Sequence, residues 1–114
     1  MTILKVFIDD QMIPVKVPEF ILDPGSDYFT KLDNDMNRGW QMARSWVDQP
    51  NLEQRCQIIA DRLLTAIEND NQKVASIMAG YILVRAPAVR HVRVATNGEV
   101  QETELLDDRD EAIF

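Results

Sequence analysis

The chain has one cysteine, one histidine and four glycines among its 114 residues, and each scarcity closes a route to function. A single thiol, Cys56, cannot make an intrachain disulfide, a two-cysteine redox pair or a two-cysteine zinc motif. A single imidazole, His91, would have to serve any serine or cysteine nucleophile as its base, and no nucleophile is placed beside it. Gly25, Gly39, Gly80 and Gly98 stand far apart and form neither a phosphate loop nor a dinucleotide fingerprint. With so few nitrogen and sulfur ligands a zinc site would need several carboxylates, an uncommon structural set. No metal and no cofactor are expected.

Positive charge is also short. Twelve Lys and Arg face nineteen Asp and Glu, for a net charge of −7 and a pI of about 4.6. Such a field repels phosphate backbones and anionic lipid, and no Lys/Arg stripe offsets it, so neither nucleic acid nor a membrane surface is an expected partner. The longest apolar run, Val74 to Val84, is about half of the ~20 residues that a membrane span requires. The apolar start ends at Asp9 and Asp10, too soon for a signal peptide. These absences together predict a cytoplasmic protein.

What is present is a globular pattern. Hydrophobic residues make up 46% and charged residues 27% of the chain, enough to build one core in one domain. Pairing Ile8 with Ile13 sets Leu4, Val6, Ile8, Ile13, Val15 and Val17 on one side of an N-terminal hairpin. Pro14 cannot donate to a ladder, which predicts a sheet edge for the second strand. Leu32, Met36, Trp40, Ala43 and Val47 then recur at helical spacing, with Ser26 or Asp27 able to cap and Gly39 weakening the middle. Pro50 suits the first turn of a second helix whose stripe is Leu52, Cys56, Ile59, Leu63 and Ile67. A third helix, about residues 72–85, is apolar almost all round and stops at Pro87.

Near the end, Asn97-Gly98 suits a type I′ turn, pairing Arg93 with Glu102 and His91 with Glu104. Val92, Val94, Thr103 and Leu105 share the opposite face. The expected fold is therefore α+β: an N-terminal β-hairpin, three helices and a C-terminal β-hairpin. The two hairpins are expected to form a two-layer domain around an antiparallel sheet of about four strands. Residues 1–106 make the domain, and 107–114 an acidic tail expected to fray.

One stretch imitates a calcium loop. Asp33, Asp35 and Asn37 alternate as the first three oxygen ligands of such a loop would. The glycine then falls one place late, at Gly39, and Arg44 stands where the bidentate Glu is needed. The carboxylates are expected to lie on a solvated helix face.

Cys56, on an apolar helical stripe, reads as a buried structural thiol. The all-round apolar third helix is either central or spends a face on a second chain, which makes Val74, Ile77, Met78, Tyr81 and Val84 interface candidates, with Trp46 as an anchor. The sequence therefore points to a non-catalytic interaction or accessory module that binds a protein partner or forms a homodimer. The alternative is a small-molecule binder or enzyme with a pocket between sheet and helices, for which Tyr81, His91, Glu102 and Glu104 are the polar candidates.

Overall fold

The computed structural model describes residues 2–114. It is an α+β domain, with a four-stranded sheet on one side, three helices on the other, and a small separate hairpin. Strands β1 (Thr2–Ile8) and β2 (Gln11–Val17) form the N-terminal hairpin. Its register differs from the expected one: Ile8 lies opposite Gln11, and Val6 opposite Ile13. Asp9 adopts φ 53°, a left-handed conformation that aspartate tolerates, so Asp9 and Asp10 alone close the loop. A slip by an even number of residues keeps each side chain on its face. Leu4, Val6, Val15 and Val17 are accordingly buried.

β5 (His91–Val94) runs parallel to β1, and β6 (Glu104–Leu106) antiparallel to β5, giving the order β2-β1-β5-β6. The sheet is therefore mixed rather than wholly antiparallel, because the two hairpins meet through parallel strands at its centre. The C-terminal register is corrected as well: Arg93 faces Glu104 and His91 faces Leu106. Gly98 takes φ 83°, but the Asn97 side chain accepts the Glu99 amide at 3.0 Å, and a 3₁₀ turn at Val100–Glu102 lengthens the loop. Asn97 is spent on a local side-chain turn instead of a two-residue hairpin. Again the slip is even, and Val92, Val94, Thr103 and Leu105 stay inside.

Both sheet edges are occupied. β2 is an edge strand, as Pro14 requires, and its Lys16 carbonyl accepts the Ser76 hydroxyl at 2.8 Å. At the opposite edge the last residues turn back, with a bridge between Leu106 and Ala112 and the Ile113 amide donating to the Leu105 carbonyl at 2.9 Å.

Helix α1 (Asp27–Asn37) buries Phe29, Leu32 and Met36 and then stops, so the segment from Trp40 to Val47 is not helical. Gly39, at φ 93°, ends it with its amide on the Met36 carbonyl, and the chain enters the short hairpin β3 (Trp40–Met42) and β4 (Ser45–Val47). Left-handed glycine is a common way to stop a helix, and here it outweighs the helical spacing of the apolar residues beyond it. Helix α2 (Leu52–Glu68) begins two residues after Pro50, which precedes the cap instead of opening the helix. Asn51 caps it through the Gln54 amide at 2.8 Å, and the Gln54 side chain returns to the Asn51 amide at 2.9 Å.

Helix α3 (Gln72–Arg85) is central. It packs on α2, on β2 and on the 3₁₀ turn at Glu19–Ile21, and no residue from Val74 to Arg85 is exposed. That position explains an apolar surface without a polar side. Gly80 permits close approach: a Cβ there would lie 2.8 Å from Ile21 Cγ2 and 3.2 Å from Phe29 Cζ.

The backbone of Gly39 is covered by the Trp46 ring, whose Cζ2 would lie 2.4 Å from an added Cβ. Gly39→Ala therefore meets both an unfavourable φ and a ring that must move. It is expected to lower unfolding free energy by about 1–3 kcal/mol in urea titrations. The steric part of that loss should disappear in a Trp46→Ala background, leaving only the backbone part.

Candidate functional site

The sequence-nominated residues do not converge. Among the interface candidates, Tyr81 is 0% and Met78 5% exposed, so neither can touch a partner while the helices stay packed. Val74, Ile77 and Val84 are half-buried against the same core, and Trp46 is exposed with its indole N–H on Asp48 Oδ1 at 2.7 Å. Among the pocket candidates, His91 meets the Asp110 carboxylate at 2.6 Å and the edge of the Phe7 ring. Glu102 accepts from Asn97, and Glu104 lies 3.6 Å from Arg93. Tyr81 belongs to a different place altogether.

That place is the junction of the three helices. Asp33, expected on a solvated face, points inward from α1. One carboxylate oxygen accepts the Tyr81 hydroxyl at 2.5 Å and approaches Arg55 Nη1 at 3.4 Å. The other accepts Arg85 Nη2 at 2.9 Å and Arg85 Nε at 3.2 Å. Arg55 also donates to the Pro50 carbonyl, the Asp33 carbonyl and the Asn37 side chain, while Arg85 reaches the Pro24 carbonyl. The Arg85 guanidinium stands over the rings of Phe29 and Tyr81, 5.9 and 5.6 Å from their centres. Residues spaced along three helices meet here, which no local motif announces.

The chemistry of this node is that of a clamp. The carboxylate is consumed by donors from three side chains, and burial, then the adjacent Asp33, pushes the Tyr81 hydroxyl well above the ordinary phenol range. Tyr81 therefore stays a protonated donor. Burial likewise pushes the Cys56 thiol up to about 12, with the Asp33 charge adding to it, so at neutral pH the sulfur is neither a thiolate nor accessible. Among the described residues no group of three His, Cys, Asp or Glu side chains could hold a metal ion.

The open surface lies on the other side of the sheet. The registers set three rows of side chains across its outer face. Met12, Phe7, Arg93 and Glu104 form the first row, Pro14, Lys5, His91 and Leu106 the second, and Lys16 and Ile3 the third. Ile3 is 44% and Met12 47% exposed, and Arg93 spreads over the Phe7 ring, 6.0 Å from its centre. No helix among the described residues covers this face, but the returning tail closes its β5–β6 end, where Leu106 is 3% exposed and His91 is held by Asp110. A separate cleft of about 380 Å³ opens where β2 meets the corner between α2 and α3, lined by Ile13, Val15, Ile67, Asp70, Asn71 and Ser76 among others.

The fold and the surfaces define a two-layer α+β domain whose outer sheet face is open over β1 and β2. Comparison of the chain with protein-family models, curated proteins and solved structures finds no match. No helix among the described residues is long and apolar enough to cross a membrane.

The clamp and the thiol are both testable. Asp33→Asn leaves two half-buried guanidiniums without a counter-charge and is expected to cost about 2–4 kcal/mol in denaturant titrations. Asp35→Asn, on the exposed side of the same helix, should cost less than about 0.5 kcal/mol. Cys56 should resist iodoacetamide in the folded protein and react once the chain unfolds. Because its folded pKa lies above its ordinary value of 9.0, the contribution of Cys56 to stability is complete below pH 9 and is lost as pH rises towards about 12. Cys56→Ala should flatten that part of an alkaline denaturation profile.

Proposed function

We propose that the protein is a non-catalytic interaction module of the cytoplasm, which binds a protein partner through the outer face of its four-stranded sheet. The observation that carries this reading is the β1–β2 half of the face: Ile3 and Met12 stand exposed there, Met12 directly opposite Phe7, with no helix over them. In a two-layer domain one sheet face can remain wet, and polar residues then usually fill it. Accessible apolar side chains grouped on such a face favour a macromolecular contact. The internal uses of Asp33, Tyr81 and Cys56 agree with this reading, because each is committed to holding the helices together. The apolar surface of α3, from which self-association was expected, is satisfied within the chain and offers a partner less than the sheet does.

A second reading rests on the cleft beside β2. Its volume of about 380 Å³ suits a small ligand, and Ile13 and Ile67 supply apolar wall while Asp70 and Asn71 supply polar groups. A metabolite that raises the melting temperature and shifts the amide signals of residues 66–76 would carry that reading instead.

Photo-crosslinking in the native host separates the two. A benzophenone amino acid at Met12 is expected to give one discrete crosslinked protein, whereas the same group at Thr65, exposed on α2, should give none. Equal crosslinking from both positions, or none from Met12, would sink the docking surface.

A further inference from the structure

The charge on the β1–β2 half of the outer face runs against the charge of the whole molecule, and this bears on the chemistry of its partner. On the reading of that face as a docking surface, we infer that it takes an acidic protein segment carrying an aliphatic or aromatic anchor. The strands place Lys5, Lys16 and Arg93 on the face against one strand carboxylate, Glu104, and the tail adds Asp110 over His91, on a chain whose net charge is −7. Arg93 is already committed, 3.6 Å from Glu104 and over the Phe7 ring. His91 is held by Asp110 at the tail. Lys5 and Lys16 have no ion-pair partner among the described residues.

Their positions are what make the face selective. Ile3 lies directly opposite Lys16 across the hairpin, and Lys5 is two residues further along the same strand on the same face. Neighbours so related stand within reach of one bound side chain and its flanking groups. The exposed Ile3 is thus bracketed by two ammoniums, and Met12 and Phe7 extend the apolar strip beyond Lys5. An apolar side chain seated on that strip would place carboxylates on either side of it over Lys5 and Lys16.

Other occupants fit less well. A second copy stacked face to face would set the same cations against one another, as a two-fold contact requires identical surfaces to meet. A copy presenting its acidic side instead makes a head-to-tail contact, which leads to rings or open filaments. Nucleic acid and anionic lipid surfaces spread a dense negative charge over far more of the molecule than a short segment does, so its acidic field opposes them more strongly.

Selection of random twelve-residue peptides displayed on phage, against the intact chain, tests the inference directly. The expected result is enrichment of Asp and Glu flanking Leu, Phe, Trp or Tyr. Binding of the selected peptides, read by fluorescence anisotropy at low salt, should weaken about tenfold in the Lys5→Glu, Lys16→Glu double variant. All four positions altered in this experiment are exposed, and circular dichroism melts check that each variant remains folded. Peptides that ignore the lysine changes but are lost in the Ile3→Ser, Met12→Ser variant would overturn the acidic chemistry and leave the docking face standing. Peptides that ignore both pairs would overturn the face as well. Tighter binding to a twelve-nucleotide uridine RNA or to phosphatidylserine vesicles than to the selected peptides would overturn the inference. So would a molecular mass that rises with concentration in sedimentation and is sensitive to the Lys5 and Lys16 changes.

Discussion

The Asp33 carboxylate is the one charge on which the helical layer depends. It stands on α1 and gathers the Tyr81 hydroxyl and Arg85 from α3 and the Arg55 guanidinium from α2. Taken separately, two half-buried arginines and a buried phenol would each need solvent or a carbonyl. Taken together they satisfy one another, and the remaining arginine donors end on the Asn37 side chain and on carbonyls that include those of Pro24 and Pro50. The two proline carbonyls belong to the connecting segments before α1 and before α2, so the node fixes loops as well as helices. Buried ion pairs are weak sources of net stability but costly to break, and they specify one arrangement over others. The arrangement specified here is the angle at which α1 lies over the central helix.

Much of the architecture could be read from periodicity. Alternation identified the inner face of each hairpin strand, and it survived two errors in register because both slips were even. Leu4, Val6, Val15 and Val17 are inside whichever way Ile8 is paired. The all-round apolar pattern of the third helix left two explanations open, a central helix or a surface shared with another chain. The packing of Val74 to Arg85 corresponds to the first. The segment from Trp40 to Val47 was misread because apolar spacing of three and four survives by coincidence in a short hairpin. The deciding feature was Gly39, whose φ of 93° ends α1 and whose missing side chain makes room for Trp46.

The Asp33 node was not legible at all, and the reason is physical. Its members are 22 and 48 residues apart for the Asp33–Arg55 and Asp33–Tyr81 contacts, and nothing local distinguishes Asp33 from the exposed Asp35. The rows on the outer face were legible only in part. The N-terminal hairpin pattern put Lys5, Phe7, Pro14 and Lys16 together, but the neighbourhood of Phe7 with Arg93 and of Lys5 with His91 required the parallel pairing of β1 and β5. The sign of the charge on one face can differ from that of the whole chain, and composition reports only the latter.

The treatment of the two sheet edges has a consequence for how the protein behaves at high concentration. An open edge is a template on which like chains can stack without limit. Here one edge has a proline in place of a donor, and its Lys16 carbonyl is taken by Ser76. The other is closed by the chain's own returning end through Leu106 and Ala112. With both edges guarded in this way, the docking proposed for the sheet would have to be frontal. The chain can therefore keep exposed isoleucine and methionine on its sheet without carrying the fibril-forming hazard that such side chains bring to an unguarded strand.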